Sequence, residues 1–235
     1  MKIFIDSADL HQIQTWLDQG VIDGATTNPS ILFKDGVADL QATVLRISRL
    51  LGDLPLSVEV TSNDQEVMLQ QGRSFASWAR NIVVKVPIIN EFGESCLGVI
   101  HALSQEGIAV NATALLSFNQ AILAAKAGAT YVSIFAGRIG DEGNDPAVII
   151  RSVRTWLDDW EFKAQIIVGS IRTLLDIQSA ALSGAHIITI PPQFLPKMVD
   201  HKYTRETVRQ FVQDAEKAEE RVGKVQAVPV SSSKR

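Results

Sequence analysis

Ile82-Val83-Val84-Lys85-Val86-Pro87 reads as a strand buried on both faces, with a single charged side chain near its carboxyl end. An amine in such a place is costly unless it is paired or gives up its proton, and a lysine taken out of water can reach the neutral form that attacks a carbonyl. Covalent carbonyl chemistry is the first expectation for Lys85. A structural ion pair, or a lysine that snorkels its charge to the surface, is the plainer alternative. The rest of the chain decides between them.

Similar apolar, β-branched runs recur on either side, at 3–6, 22–25, 56–60, 108–112, 131–135, 165–169 and 187–190, which with 82–86 makes eight strands. Between them the apolar residues take helical spacing. Leu10, Ile13 and Leu17 precede Gly20, and Leu40, Val44, Ile47 and Leu51 precede Gly52, endings that suit helix C-caps. Like patterns cover 66–79, 96–103, 118–127, 147–157 and 174–182. Strand and helix in strict alternation put the chain in the α/β class, and eight such units close into a (β/α)8 TIM barrel. An open doubly wound sheet is the alternative, but no GxGxxG follows the first strand. Past the eighth strand, 204–222 form an additional C-terminal helix with Val208, Phe211, Val212 and Ala215 on one face, expected to pack across the barrel or onto another subunit. One domain over 1–222 is expected, with a flexible tail over 223–235.

A length of 235 residues suits a single barrel of this kind. The net charge of −4 and the lack of a dense basic cluster argue against nucleic acid as the main partner. No apolar run reaches the roughly 18 residues needed to cross a bilayer, so no membrane partner is expected. Met1 leads directly into a strand with no secretory or transit pattern, so the protein is expected to be cytoplasmic. Cys96, the single cysteine, is expected as a small buried hydrophobe, and His11, His101, His186 and His201 lack ligand spacing, so no metal is expected.

Polar residues inside parallel strands are the informative ones, and alternation sorts them by face. Lys85 shares a face with Val83, Glu59 with Ser57, Asp6 with Phe4, and Asn111 with Thr113; Tyr131, Ser133 and Phe135 fall together. Thr26 and Asn28 follow the second strand, and Ser170 follows the seventh. All lie near strand carboxyl ends, the face on which barrel active sites are built. Each alone has an ordinary explanation, such as Asp6 or Ser7 capping a helix or Asn28-Pro29 making a turn. Their convergence does not. Gly169-Ser170-Ile171-Arg172 leads into a helix at the same mouth, and Gly137-Arg138 adds a second guanidinium, which together suit a phosphorylated substrate. A surface pair of Arg138 with Asp141 or Glu142 is the alternative.

In this order, the segments Phe4-Ile5-Asp6-Ser7-Ala8, Gly24-Ala25-Thr26-Thr27-Asn28-Pro29-Ser30, Val84-Lys85-Val86-Pro87, Asn111-Ala112-Thr113, Ser133-Ile134-Phe135-Ala136-Gly137-Arg138 and Ser170-Ile171-Arg172 resemble the small transaldolase family, which includes the fructose-6-phosphate aldolases. The resemblance runs over about residues 1–220. It implies Lys85 as the Schiff-base lysine, Asp6 and Asn28 orienting hydroxyls and imine, and Glu59 and Thr113 holding a catalytic water. Thr26, Asn111, Ser133 and Phe135 would contact substrate, and Arg138, Ser170 and Arg172 its phosphate. Glu59 and Phe135 are similar to the transaldolase branch, where the aldolase branch has Gln and Tyr. The implied activity is transfer of dihydroxyacetone between sugar phosphates with no cofactor and no metal, in a homo-oligomer of five or ten subunits. The alternatives are an aldolase that releases free dihydroxyacetone, a transaldolase for a sulfonated ketose analogue, and a non-catalytic phosphosugar-binding barrel. The chain departs from the family pattern at Ile88 to Phe92, Ile134, Gly169 and the Asp141 to Pro146 loop, which leaves donor and acceptor preference open.

Overall fold

The computed structural model describes residues 1–226 and divides into two compact units, Met1–Phe194 and the segment from Leu195 onward. In the first unit, eight parallel strands close on themselves in sequence order, β8 pairing back to β1. In chain order the unit runs β1 (Lys2–Asp6), α1 (Leu10–Asp18), β2 (Ala25–Thr26), α2 (Pro29–Lys34), α3 (Leu40–Leu51), β3 (Leu56–Glu59), α4 (Gln65–Trp78), β4 (Ile82–Pro87) and α5 (Leu97–Gln105). It continues with β5 (Val110–Leu115), α6 (Phe118–Lys126), β6 (Tyr131–Phe135), α7 (Ala136–Asp141), α8 (Pro146–Asp159), β7 (Gln165–Gly169), α9 (Leu174–Leu182) and β8 (Ile187–Ile190). The expected TIM barrel is the observed fold.

Strand alternation makes two cores. Phe4, Val83, Tyr131, Ile167 and Ile187 fill the barrel interior, with Phe4 meeting the Tyr131 ring edge-on at 6.2 Å. The opposite strand faces, Ile5, Val58, Val84 and Ile188 among them, are buried in the same unit as Ile13, Ile47, Ile100 and Leu103 of the helices. The interior set matters for position: one step of two residues toward the carboxyl end from Phe4, Val83, Tyr131 and Ile187 stand Asp6, Lys85, Ser133 and Thr189. An apolar plug therefore forms the floor beneath a polar layer.

Two strands differ from their expected bounds by more than one residue, for local reasons. β2 begins only at Ala25, because the Asp23 carboxylate accepts the Ile3 amide at 2.8 Å where a strand carbonyl would otherwise stand. β5 runs on to Leu115 through an irregularity between Ala112 and Leu115, with Ala114 at a φ of 60°. Two short helices also stand where loops were expected. Asn28 is not a simple turn residue: its side chain accepts the Ile31 amide and caps α2, with Pro29 in the first helical position. Gly137 and Arg138 lie on α7.

In the second unit a short helix α10 (Leu195–Val199) precedes α11 (Lys202–Gln226), which runs past the expected end at 222. Val208, Phe211 and Val212 of α11 are exposed. The part of the expected flexible tail over 227–235 lies outside the described residues. No helix among the described residues is long and apolar enough to cross a membrane.

Candidate active site

A cavity of about 450 Å³ opens at the carboxyl ends of the strands. Its wall carries Asp6, Thr26, Asn28, Glu59 and Lys85 from the first half of the barrel, and Ser133, Phe135, Arg138 and Ser170 from the second. Pro29, Ser30, Ala114, Gly169 and Thr189 complete it. Residues separated by more than 160 positions in the chain thus face one space, which is what parallel closure with inward parity produces.

Lys85 is 4% exposed. Its Nζ lies 3.0 Å from Glu59 Oε2 and donates to the Thr27 carbonyl at 3.2 Å. The Glu59–Lys85 register between β3 and β4 puts the two side chains side by side on the inner face. The structural alternative for Lys85, an ion pair, is thus present, but it is an ion pair facing a cavity rather than one sealed in packing. That distinction favours chemistry, because a lysine aimed at open space can receive a substrate carbonyl.

Asp6 lies across the cavity floor, where Thr26 Oγ1 donates to its Oδ1 at 2.6 Å. Burial holds the Asp6 carboxyl above its ordinary value, outweighing the Lys85 charge and the Thr26 hydrogen bond that draw it down; Glu59 and Asp35 add to the rise. Asn111 does not reach the wall. It pairs in register with Lys85 and bridges two strands beneath it, accepting from Ser133 Oγ at 2.7 Å and donating to Ser57 Oγ at 3.1 Å. Thr113 is fully buried and is likewise absent from the cavity wall, which carries its neighbour Ala114; its Oγ1 has no protein partner among the described residues, which leaves its hydroxyl a bond to make with a water.

The rim is built differently. Arg138 is exposed, lines the cavity and forms no ion pair among the described residues. Ser170 holds a φ of 60°, a sparsely populated conformation for a residue with a side chain, and its carbonyl accepts the Gly137 amide at 3.1 Å. A Cβ at position 137 would strike both Ser170 and Arg172, so α7 and the β7–α9 turn approach this closely only because residue 137 is glycine.

Arg172 stands apart from the cavity wall, its guanidinium forked onto the Asp141 carboxylate, one arm at 2.6 Å. The surface pair considered for Arg138 is thus made by Arg172. The amides of Arg172 and Thr173 at the start of α9 are also taken, both by the Asp176 carboxylate at 2.9 and 2.8 Å, inside a capping box with Thr173. The expected supply of free helix-terminal amides is therefore reduced by the chain's own acid.

Two participants carried too weak a signal to be read beforehand. Thr189 of β8 lines the cavity, and its Oγ1 lies 2.5 Å from Thr26 Oγ1. The Thr27 carbonyl is a backbone group and leaves no mark in side-chain chemistry. Elsewhere, Cys96 is buried, and burial raises its thiol above the usual range. No cluster of candidate metal ligands occurs among the described residues.

Comparison with known proteins gives four findings. The sequence model of the family described as Transaldolase/Fructose-6-phosphate aldolase matches residues 3–231. A probable transaldolase of Streptococcus equi subsp. zooepidemicus is 41% identical over 214 residues, 91% of this chain and 97% of that protein. A probable transaldolase 2 of Listeria monocytogenes is 38% identical over 223 residues, 95% and 100% of the two chains. Among solved structures, 2,3-dimethylmalate lyase superposes with a TM-score of 0.57 at 16% identity, covering 91% of this chain and 82% of that one, a likeness of fold alone.

Proposed function

The chain belongs to the transaldolase/fructose-6-phosphate aldolase family, and we propose that it acts as a transaldolase, moving a dihydroxyacetone unit from a ketose phosphate to an aldose phosphate through an imine on Lys85. Sedoheptulose 7-phosphate and fructose 6-phosphate are the donors that fit. The observation that carries the reading is the Lys85 amine, buried yet facing the cavity, 3.0 Å from the Glu59 carboxylate.

The chemistry follows from that placement. The Lys85 amine attacks C2 of the ketose, and loss of water leaves an iminium that can accept an electron pair. Glu59, acting through a water for which the open Thr113 hydroxyl is a second anchor, takes the proton of the C4 hydroxyl. The C3–C4 bond breaks, its electrons flow into the iminium, and the aldose phosphate leaves. A three-carbon enamine remains on Lys85. It attacks the acceptor aldehyde, and hydrolysis of the new imine frees the product and the amine. Asp6 and Asn28 face the same space and orient the hydroxyls around the imine. Arg138 and Ser170 bind the phosphate at the rim, and Arg172 joins them as a second cation if it turns from Asp141 when substrate binds.

Phe135 decides transfer against release. A hydroxyl-bearing ring at this point on the wall would deliver a proton to the enamine and free dihydroxyacetone; a phenyl ring cannot. The enamine therefore waits for an acceptor. An assay with fructose 6-phosphate in the presence and absence of erythrose 4-phosphate tests this. A seven-carbon product that depends on acceptor supports transfer, and equally fast release of dihydroxyacetone without acceptor assigns the protein to the aldolase side instead.

Exposed Val208, Phe211 and Val212, at helical spacing on α11, support a homo-oligomer, proposed as five or ten subunits.

A further inference from the structure

We propose that the Thr189 hydroxyl is a positioning group for this reaction, setting the proton direction of the Thr26 hydroxyl and, through it, how Asp6 meets a substrate hydroxyl. The proposal rests on the Lys85 imine reading and goes beyond it.

Thr189 is the one polar residue of Ile187-Ile188-Thr189-Ile190, it is 5% exposed, and it faces the cavity. Thr26 Oγ1 stands between two oxygens, Asp6 Oδ1 at 2.6 Å and Thr189 Oγ1 at 2.5 Å. A hydroxyl carries one proton, and an ionised carboxylate only accepts. While Asp6 is charged, Thr26 must donate to it, so the proton between the two threonines must come from Thr189. The Thr189 lone pairs are then left toward the cavity, able to accept a substrate O–H. The row runs one way, from substrate through Thr189 and Thr26 to Asp6, and each bond polarises the next. Protonation of Asp6 lets the row reverse, and Thr189 then presents a donor.

The Thr189 methyl points to the room left by Gly169. On β7, a Cβ added to Gly169 would lie 3.3 Å from Thr189 Cγ2, so the methyl occupies the space a larger residue would take and the hydroxyl is left on the Thr26 side. Three charged groups act on Asp6, namely Lys85 of β4, Glu59 of β3 and Asp35 after α2, and Lys34 shares a small pocket of about 170 Å³ with Asp6 and Asp35. Burial already holds the Asp6 carboxyl high. Removing the Thr189 proton from the row weakens donation to the carboxylate and moves it higher still.

The test is the pH profile of kcat/KM for transfer from fructose 6-phosphate to erythrose 4-phosphate in the unmodified protein, Thr189→Val and Thr189→Ser. Thr189→Val keeps the shape and removes the hydroxyl. It should lose about tenfold in kcat/KM, with its acidic limb displaced to higher pH, and Thr189→Ser should restore both. Borohydride trapping of a Lys85 adduct runs alongside in each protein. An adduct in Thr189→Val with rate and profile unchanged, or a serine variant as impaired as the valine one, overturns the role of Thr189. No adduct even in the unmodified protein takes the imine reading down, and this proposal with it. Should Thr189→Val fail to fold, Thr189→Ala is compared with Thr189→Ser in the same assay, and equal losses again overturn the proposal.

Discussion

At the floor of the cavity, Lys85, Glu59, Asp6, Thr26 and Thr189 come from five different strands, Lys85 meeting Glu59 at 3.0 Å and Thr26 meeting Asp6 and Thr189 at 2.6 and 2.5 Å. At the rim, Arg138 lies on α7, Ser170 on a strained turn, and Arg172 is turned aside onto Asp141. The floor is held by barrel closure and leaves little freedom to any single side chain. The rim is held by short helices and turns, and one of its two cations is already engaged with a surface acid. Chemistry that needs fixed geometry sits where the backbone is most constrained, and binding that tolerates adjustment sits where it is least constrained.

Four changes break or sharpen that contrast. Lys85→Arg is the most severe, because a guanidinium keeps the charge beside Glu59 but cannot form an imine; steady-state turnover should fall on the order of 10⁴-fold or more. Substantial residual rate would show that the floor is not where the chemistry occurs. At the rim, Arg138→Ala should lower kcat/KM by about 10- to 100-fold for phosphorylated substrates, the range expected for one hydrogen bond to a charged group, and leave unphosphorylated analogues nearly unchanged. Equal loss for both would place the anion site elsewhere.

Asp6→Asn examines the floor through stability. A carboxyl whose value is raised on folding adds stability that is complete below the unfolded value and is lost as pH rises through the folded one. Above the ordinary carboxyl value the raised Asp6 carboxyl is therefore a burden that Asn removes. The melting temperature of Asp6→Asn should exceed that of the unmodified protein at pH 7, the gain should shrink as pH falls toward the ordinary carboxyl value of 3.8, and activity should drop at every pH. A melting temperature that falls equally at all pH values would contradict the assigned cause. The smallest effect is expected of Asp141→Ala. It frees an exposed guanidinium from an exposed partner, so KM for a phosphorylated substrate should change by about threefold or less, and downward if Arg172 then turns to the phosphate. A tenfold rise would mean that the Arg172–Asp141 pair itself shapes the site.

The same contrast explains what could be read from the chain. Floor residues announce themselves: a lysine in Ile82-Val83-Val84-Lys85-Val86 has few structural excuses, and period-two alternation places it beside Glu59 without coordinates. Thr189 escaped because threonine is a good strand former, so one hydroxyl among three isoleucines passes for core filling. At the rim, α2 and α7 are six residues each, too short for helical periodicity to register, and Pro29 and Gly137 at their starts read as turns. Arg172 could not be paired in advance, since Asp141 lies 31 positions away on a helix that sequence spacing does not reveal.

The most direct test of the imine is reductive trapping. Borohydride added with fructose 6-phosphate, followed by digestion and mass spectrometry, should leave a reduced sugar-derived adduct on Lys85 and on no other lysine. A Lys85 peptide recovered unmodified under conditions that support turnover would contradict the covalent mechanism at its first step.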